Sequence, residues 1–82
     1  MGALSHFDQM LPGLAHENTK GATDLRRQVE IFTHGDGVFL RVGPLGDRDS
    51  GEDRYTVELT KQTGSELRDA IHSAMQYMAW NP

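Results

Sequence analysis

The chain has four histidines that could ligate a metal ion, since a neutral imidazole is a common zinc ligand. They are His6, His16, His34 and His72. None of them has a second ligand at a helical i, i+4 spacing or in a His-x-His pair. His34 and Asp36 could share an ion, but an aspartate in a turn normally accepts a hydrogen bond from its own backbone. The spacing therefore favours neither a metal site nor any other cofactor.

Acidic residues between positions 43 and 54 have part of the spacing of a calcium-binding loop. Three of them are Asp47, Asp49 and Asp53, and Glu58 stands at the twelfth position counted from Asp47. The sixth position of such a loop must be a glycine that turns sharply, and here it is Glu52. The sequence therefore predicts an exposed acidic loop without a bound ion.

Nucleophilic catalysis would need a serine or threonine close to a histidine base and an orienting carboxylate. Ser65 and His72 lie two turns apart on one predicted helix, and no glycine elbow surrounds Ser65. Glu52 and Asp53 fall in the predicted exposed loop, which lacks the buried environment that acid catalysis by a carboxyl group requires. We therefore predict that the chain is not an enzyme.

Aromatic and arginine side chains could instead bind a macromolecule. On a predicted strand, Phe39 and Arg41 point outward, where they could stack on a base and neutralise a phosphate, with Arg54 nearby. The same residues could equally form a protein interface, and interfaces also favour the residue types of Tyr77 and Trp80. We predict that Phe39, Arg41, Tyr77 and Trp80 bind a partner. Trp80 is the best candidate anchor, unless the tail folds back onto its own domain.

The charge balance restricts the class of partner. Eight basic and twelve acidic residues give a net charge of −4, whereas a general nucleic-acid binder usually has a basic face. Another protein is therefore the predicted partner, and a nucleic-acid accessory role is the alternative. No apolar run approaches the roughly 20 residues that span a membrane, and no signal peptide is apparent. These features predict a cytoplasmic protein without a membrane contact.

The length of the chain predicts self-association. Its 82 residues have room for one domain, and a chain this short buries only about 60% of its unfolded surface. There is no cysteine that could form a stabilising disulfide. Since burial against a second copy enlarges a small core, we predict a homo-oligomer.

The elements that would position these residues form an α+β domain. Residues 26–33 and 38–42 flank a His-Gly-Asp-Gly sequence, whose Asp-Gly pair is typical of a hairpin turn. Residues 55–60 alternate apolar and polar side chains and predict a third strand. The predicted fold is a three-stranded antiparallel sheet packed by one C-terminal helix, with Val38, Leu40 and Val42 on the inner face.

The predicted helix carries an apolar stripe at spacings of three and four residues. It consists of Leu67, Ala70, Ile71, Ala74, Met75 and Met78. Two N-caps compete: Thr60 directly after the strand, and Thr63, from which Glu66 could complete a capping box. Gly64 in the first turn would cost about 1 kcal/mol relative to alanine, which slightly favours the start at Thr63. With either start, the stripe is predicted to face the sheet.

Residues 1–25 are predicted to be a loosely attached arm ahead of a β-β-β-α domain at 26–80. Phe7, Leu11 and Leu14 have helical spacing, and Pro12 limits a helix here to one or two turns. Residues 15–24 are polar and predict a linker. The apolar residues of the arm are expected to pack on the domain or on a symmetry mate, and docking on a foreign partner is the alternative.

Residues 55–71 read Tyr-Thr-Val-Glu-Leu-Thr-Lys-Gln-Thr-Gly-Ser-Glu-Leu-Arg-Asp-Ala-Ile. This segment, about a fifth of the chain, resembles the strand-to-helix segment of the N-terminal oligomerisation domain of the actinobacterial H-NS-like nucleoid-associated protein. The chain departs from that family in an extra hairpin before the segment and in having no Arg-Gly-rich linker or DNA-binding domain after it. The resemblance implies a dimerising module without the DNA-reading half, such as a phage-encoded modulator of a host assembly.

Overall fold

The computed structural model describes residues 2–14, 24–46 and 54–80. In chain order the elements are β1 (Leu4–Pro12), β2 (Arg26–His34), β3 (Gly37–Leu45), β4 (Tyr55–Leu59) and α1 (Lys61–Tyr77). The strands form one antiparallel sheet in which each strand lies beside its neighbour in the chain. The predicted α+β class is confirmed, and the sheet has four strands rather than three.

The predicted hairpin joins β2 to β3. Its last residue pair is His34 with Gly37, and the two residues between them form the turn. Gly35 has a φ of 59°, a backbone conformation that glycine adopts without steric cost. Strand β3 is longer than predicted because a β-bulge near Gln28 keeps residues 43–45 in the ladder.

Strand β1 corrects the predicted short helix and the predicted loose attachment of the N-terminal segment. It pairs with β2 in a register that runs from Leu4 opposite Thr33 to Pro12 opposite Arg26. The prediction was wrong because a spacing of four residues, as between Phe7 and Leu11, fits one face of a strand as well as one face of a helix. Pro12 lies at the end of this outer strand, a position that tolerates its missing N–H. The predicted linker at 15–24 falls almost wholly outside the described residues.

The register divides the sheet into two faces of different chemistry. Residues directly opposite each other on neighbouring strands share a face, as Phe7, Ile31, Leu40 and Val57 do. We call this side the apolar face; its apolar residues are Leu4, Phe7, Leu11, Val29, Ile31, Val38, Leu40, Val42, Tyr55, Val57 and Leu59, and the register also places Gln9, Arg27 and Thr33 on it. The other side, the polar face, carries Ser5, Asp8, Gln28, Glu30, Phe32, His34, Phe39, Arg41, Thr56 and Glu58.

Helix α1 begins directly after β4, and its N-cap is Thr60 rather than the predicted Thr63. The backbone N–H of Thr63 donates to the Thr60 hydroxyl at 3.0 Å, and the backbone N–H of Thr60 donates to the Thr63 hydroxyl at 2.8 Å. Thr63 thus takes the place that a glutamate or glutamine usually has in a capping box. The box outweighs the cost of Gly64 in the first turn.

The C-terminal end of α1 is closed by a Schellman motif. The N–H of Trp80 donates to the carbonyl of Met75 at 2.9 Å, and the N–H of Ala79 donates to that of Gln76 at 3.0 Å. Ala79 has a φ of 58°, a left-handed conformation that glycine usually takes at this position. Both ends of the helix are therefore fixed by local hydrogen bonds.

The prediction that α1 packs over the sheet is wrong for the single chain. Of the four strands, α1 contacts β4 alone, and none of its residues is buried. In the described residues the buried hydrophobic side chains are Phe32 and Leu45. The apolar stripe of α1 and much of the apolar face are consequently open to solvent.

Asp24 holds the start of β2. Its carboxylate accepts hydrogen bonds from the Arg26 side chain at 2.8 and 3.0 Å and from the Arg26 backbone N–H at 3.0 Å. The side-chain bonds, followed by the backbone bond, lower the pKa of Asp24 from 3.8 to about 2. The chain therefore enters the sheet through a charge-assisted turn.

Replacing Thr60 with alanine should remove the hydroxyl of the capping box and destabilise α1 by about 1 kcal/mol. Helix content from circular dichroism, followed through thermal unfolding, measures this loss. Thr60→Ser keeps the hydroxyl and is the matched control. An alanine variant with the same helix content and melting profile as the serine variant would contradict the assignment of the cap.

Carbon-detected NMR titration should place the midpoint of the Asp24 carboxyl near pH 2. Because the pKa is lower in the folded state, the stability from this group is present above about pH 4 and is lost as the pH falls through 2. Arg26→Gln should move the midpoint back toward 3.8, though not fully, because the backbone donor remains. An Asp24 titration midpoint that is unchanged in the Arg26→Gln variant would contradict the pairing of Asp24 with Arg26.

Candidate interaction surfaces

The polar face is centred on two stacked phenylalanines. Phe32 and Phe39 are directly opposite each other on β2 and β3, with ring centroids 5.3 Å apart and planes inclined by 21°. The guanidinium carbon of Arg41 lies 4.7 Å from the Phe32 ring centroid, which is a cation–π distance. Phe39 and Arg41 lie on the opposite side of the sheet from Val38 and Leu40, as predicted, but that side is not the more exposed one: both residues are half-buried, whereas Val38 is 40% exposed.

Arg41 is held by neighbours on both sides. Its Nε donates to the hydroxyl of Thr56 at 3.0 Å, and its Nη1 lies 4.0 Å from the carboxylate of Glu30. A shallow groove of about 580 Å³ runs over this cluster and is also lined by Ser5 and His34. Because the positive charge faces a carboxylate and Phe39 already stacks on Phe32, this groove is poorly suited to a phosphate backbone. Arg54, the third residue of that hypothesis, is exposed just before β4.

Tyr77 and Trp80 lie at the far end of α1. Tyr77 is 89% exposed and Trp80 is 61% exposed, so the tail does not fold back over its own domain. Since α1 contacts β4 alone among the strands, the four predicted partner-binding residues form two separate groups. Phe39 and Arg41 belong to the polar face, and Tyr77 and Trp80 belong to the helix end.

The apolar face is the surface that the sequence did not predict to be open. Tyr55 is 68% exposed and Val57 is 54% exposed, and Leu4 and Val38 are also open to solvent. An apolar cleft of about 360 Å³ separates the start of α1 from the sheet. Ile31, Val38 and Leu59 line it on the sheet side, and Gly64, Leu67, Arg68 and Ile71 line it on the helix side. The sequence of β1 gave no clear signal that this face extends over a fourth strand, because its apolar residues do not alternate and a register shift falls between Ser5 and Phe7.

The groups examined for metal binding and catalysis remain dispersed. Within residues 2–14, 24–46 and 54–80, no three histidine or acidic side chains are close enough together to hold a metal ion. The ring of His6 hydrogen-bonds to the hydroxyl of Thr33 at 3.2 Å, and His34 is exposed at the hairpin. Ser65 and His72 are both exposed on α1. His16 and the acidic residues 47–53 lie outside the described residues.

Comparisons with known proteins give no relative for this arrangement. No protein-family model matches the chain, and no curated protein or solved structure is significantly similar to it. The similarity of residues 55–71 to the H-NS-like oligomerisation domain therefore stays a prediction. In the part of the chain that the structure describes, no helix is both long and apolar enough to cross a membrane.

Proposed function

We propose that this chain is a non-enzymatic protein-interaction module that self-associates by burying its apolar face. The observation that carries the proposal is the exposure of that face on an otherwise ordered sheet. Monomeric proteins rarely leave contiguous apolar patches of more than a few hundred Å² in water. The cytoplasmic location predicted from the sequence is part of this proposal.

The surface area of the chain supports association. Its accessible surface is 6497 Å², whereas a compact monomer of this mass would expose about 4,900 Å². The chain therefore exposes more surface than a compact monomer of its mass would. That total takes in the whole chain, but the large exposed apolar side chains of the sheet and helix all belong to described residues.

A second surface of the module would bind another protein. Trp80 and Tyr77 supply exposed aromatic area at the end of α1, and such residues often dominate the energy of protein interfaces. Phe39 and Arg41 are the corresponding candidates on the polar face. Their existing contacts within the sheet make them a rigid patch rather than a free anchor.

Val57→Asp should abolish self-association, because a carboxylate on the apolar face could not be buried without a large desolvation cost. Sedimentation velocity over a concentration series measures the oligomeric state. Thr56→Asp is the matched control, since it places the same charge one residue away on the polar face. Equal association of the two variants, with folding verified by circular dichroism, would refute the proposal.

Trp80 is the single tryptophan of the chain, so its fluorescence reports directly on whether the helix end joins an interface. We expect the emission to shift to shorter wavelength as the protein concentration rises and Trp80 leaves water. Trp80→Ala should weaken association by roughly 2 kcal/mol or more, as is typical of an interface hot spot. Trp80→Phe should retain most of the affinity. An emission maximum independent of concentration would exclude Trp80 from the self-association surface.

A further inference from the structure

We infer that the apolar face is covered by α1 of a second copy of this chain, each copy placing its helix on the sheet of the other. This inference rests on the proposed function, because it names the occupant of the same face. The interface consists of the apolar stripe of α1 in one copy and the apolar face of its partner.

The connection between β4 and α1 determines where the helix can go. Strand β4 ends at Leu59 and α1 begins at Lys61, so Thr60 is the only residue between them. The capping box fixes the backbone of this residue on the helix side. So short a connection restricts the direction of α1, and of the four strands the helix contacts β4 alone.

The apolar stripe then meets its own sheet only at the start of the helix. Leu67 and Ile71 line the cleft beside Leu59, yet Ile71 remains 53% exposed. Further along the stripe, Met78 is 56% exposed, and no strand other than β4 contacts the helix. Among the described strands, the C-terminal half of the stripe therefore has no partner, although Met75 is half-buried.

The two open surfaces match each other in size and chemistry. A helix of 17 residues is roughly 25 Å long, and four strands measure roughly 14 Å from the first to the last. One helix is thus long enough to cross the whole apolar face. In a two-fold dimer each copy donates a helix and accepts one, so both open surfaces are buried together.

The competing arrangements each leave one apolar surface exposed. Two sheets packed face to face would bury the apolar faces but would leave the helix stripes in water. A foreign protein on the apolar face would also have to supply a second surface for the helix. A second copy provides both surfaces at once, and the accessible surface of 6497 Å², above the roughly 4,900 Å² of a compact monomer of this mass, leaves area for such an interface.

The absence of cysteine makes the arrangement testable by crosslinking in the full chain. Met75→Cys, on the helix stripe, is mixed with a second variant that carries one cysteine on the apolar face, at Phe7, Leu40 or Val57. The two variants carry tags of different mass, and a short bismaleimide is added. We expect a crosslinked pair of unequal chains with at least one apolar-face position. Thr56→Cys on the polar face and Gln76→Cys, next to Met75 on the helix, are the matched controls and should give at least tenfold less product.

Two results would overturn helix exchange while leaving self-association intact. One is a product formed only between two apolar-face cysteines, which would indicate sheet-on-sheet packing. The other is a Val57→Cys, Met75→Cys double variant that crosslinks within one chain, which would indicate that each helix covers its own sheet. A chain that sediments as a monomer at every concentration would refute the proposed function together with the exchange. As a second readout, Met75→Asp should dissociate the dimer as Val57→Asp does, with Gln76→Asp as its control.

Discussion

The capping box at Thr60 is the interaction on which the rest of this structure depends. It starts a helix one residue after a strand ends, and so it sets the direction in which the helix leaves the sheet. A longer loop would let the helix lie back on its own sheet, as the hydrophobic pattern of both elements favours. The two hydrogen bonds between Thr60 and Thr63 fix the first turn of the helix, and the single connecting residue leaves little freedom in the direction that the helix takes from β4.

The sheet has two faces that the same strands stabilise in different ways. On the polar face, Phe32 is buried beneath Phe39 and Arg41, and Glu30 and Thr56 hold the arginine. Those contacts bury Phe32 and pair Arg41 within the chain itself. On the apolar face, Val57 and Tyr55 are exposed, and no described element of the chain lies over them. Because Tyr55 and Val57 are exposed on this face, the hydrophobic effect favours association through this side of the sheet.

Much of the fold follows from local sequence. The Asp-Gly pair in the sequence and the alternation on either side of it predict the β2–β3 hairpin, whose turn residues in the structure are Gly35 and Asp36. The alternation at 55–60 predicts β4. The spacing of Leu67, Ile71 and Met75 predicts the helix. Strand β1 was missed because Phe7 and Leu11 are four residues apart, a spacing that a strand and a helix share. The N-cap was predicted at Thr63 because of the local cost of Gly64 in the first turn. The structure places the N-cap at Thr60, directly after the end of β4.

The sequence by itself determined the types of β2, β3, β4 and α1 and the amphipathic stripe of α1, because each of these depends on neighbours within a few residues; it did not determine β1, whose pairing with β2 is long-range. It also identified Phe39, Arg41, Tyr77 and Trp80 by residue type. Only the tertiary structure decided that the first two belong to the polar face while the last two lie at the far end of a helix that contacts β4 alone. The path of the helix depends on the geometry of one short connection and on the register of four strands. Hydrophobic periodicity specifies that a surface must be buried, but it does not specify which chain buries it.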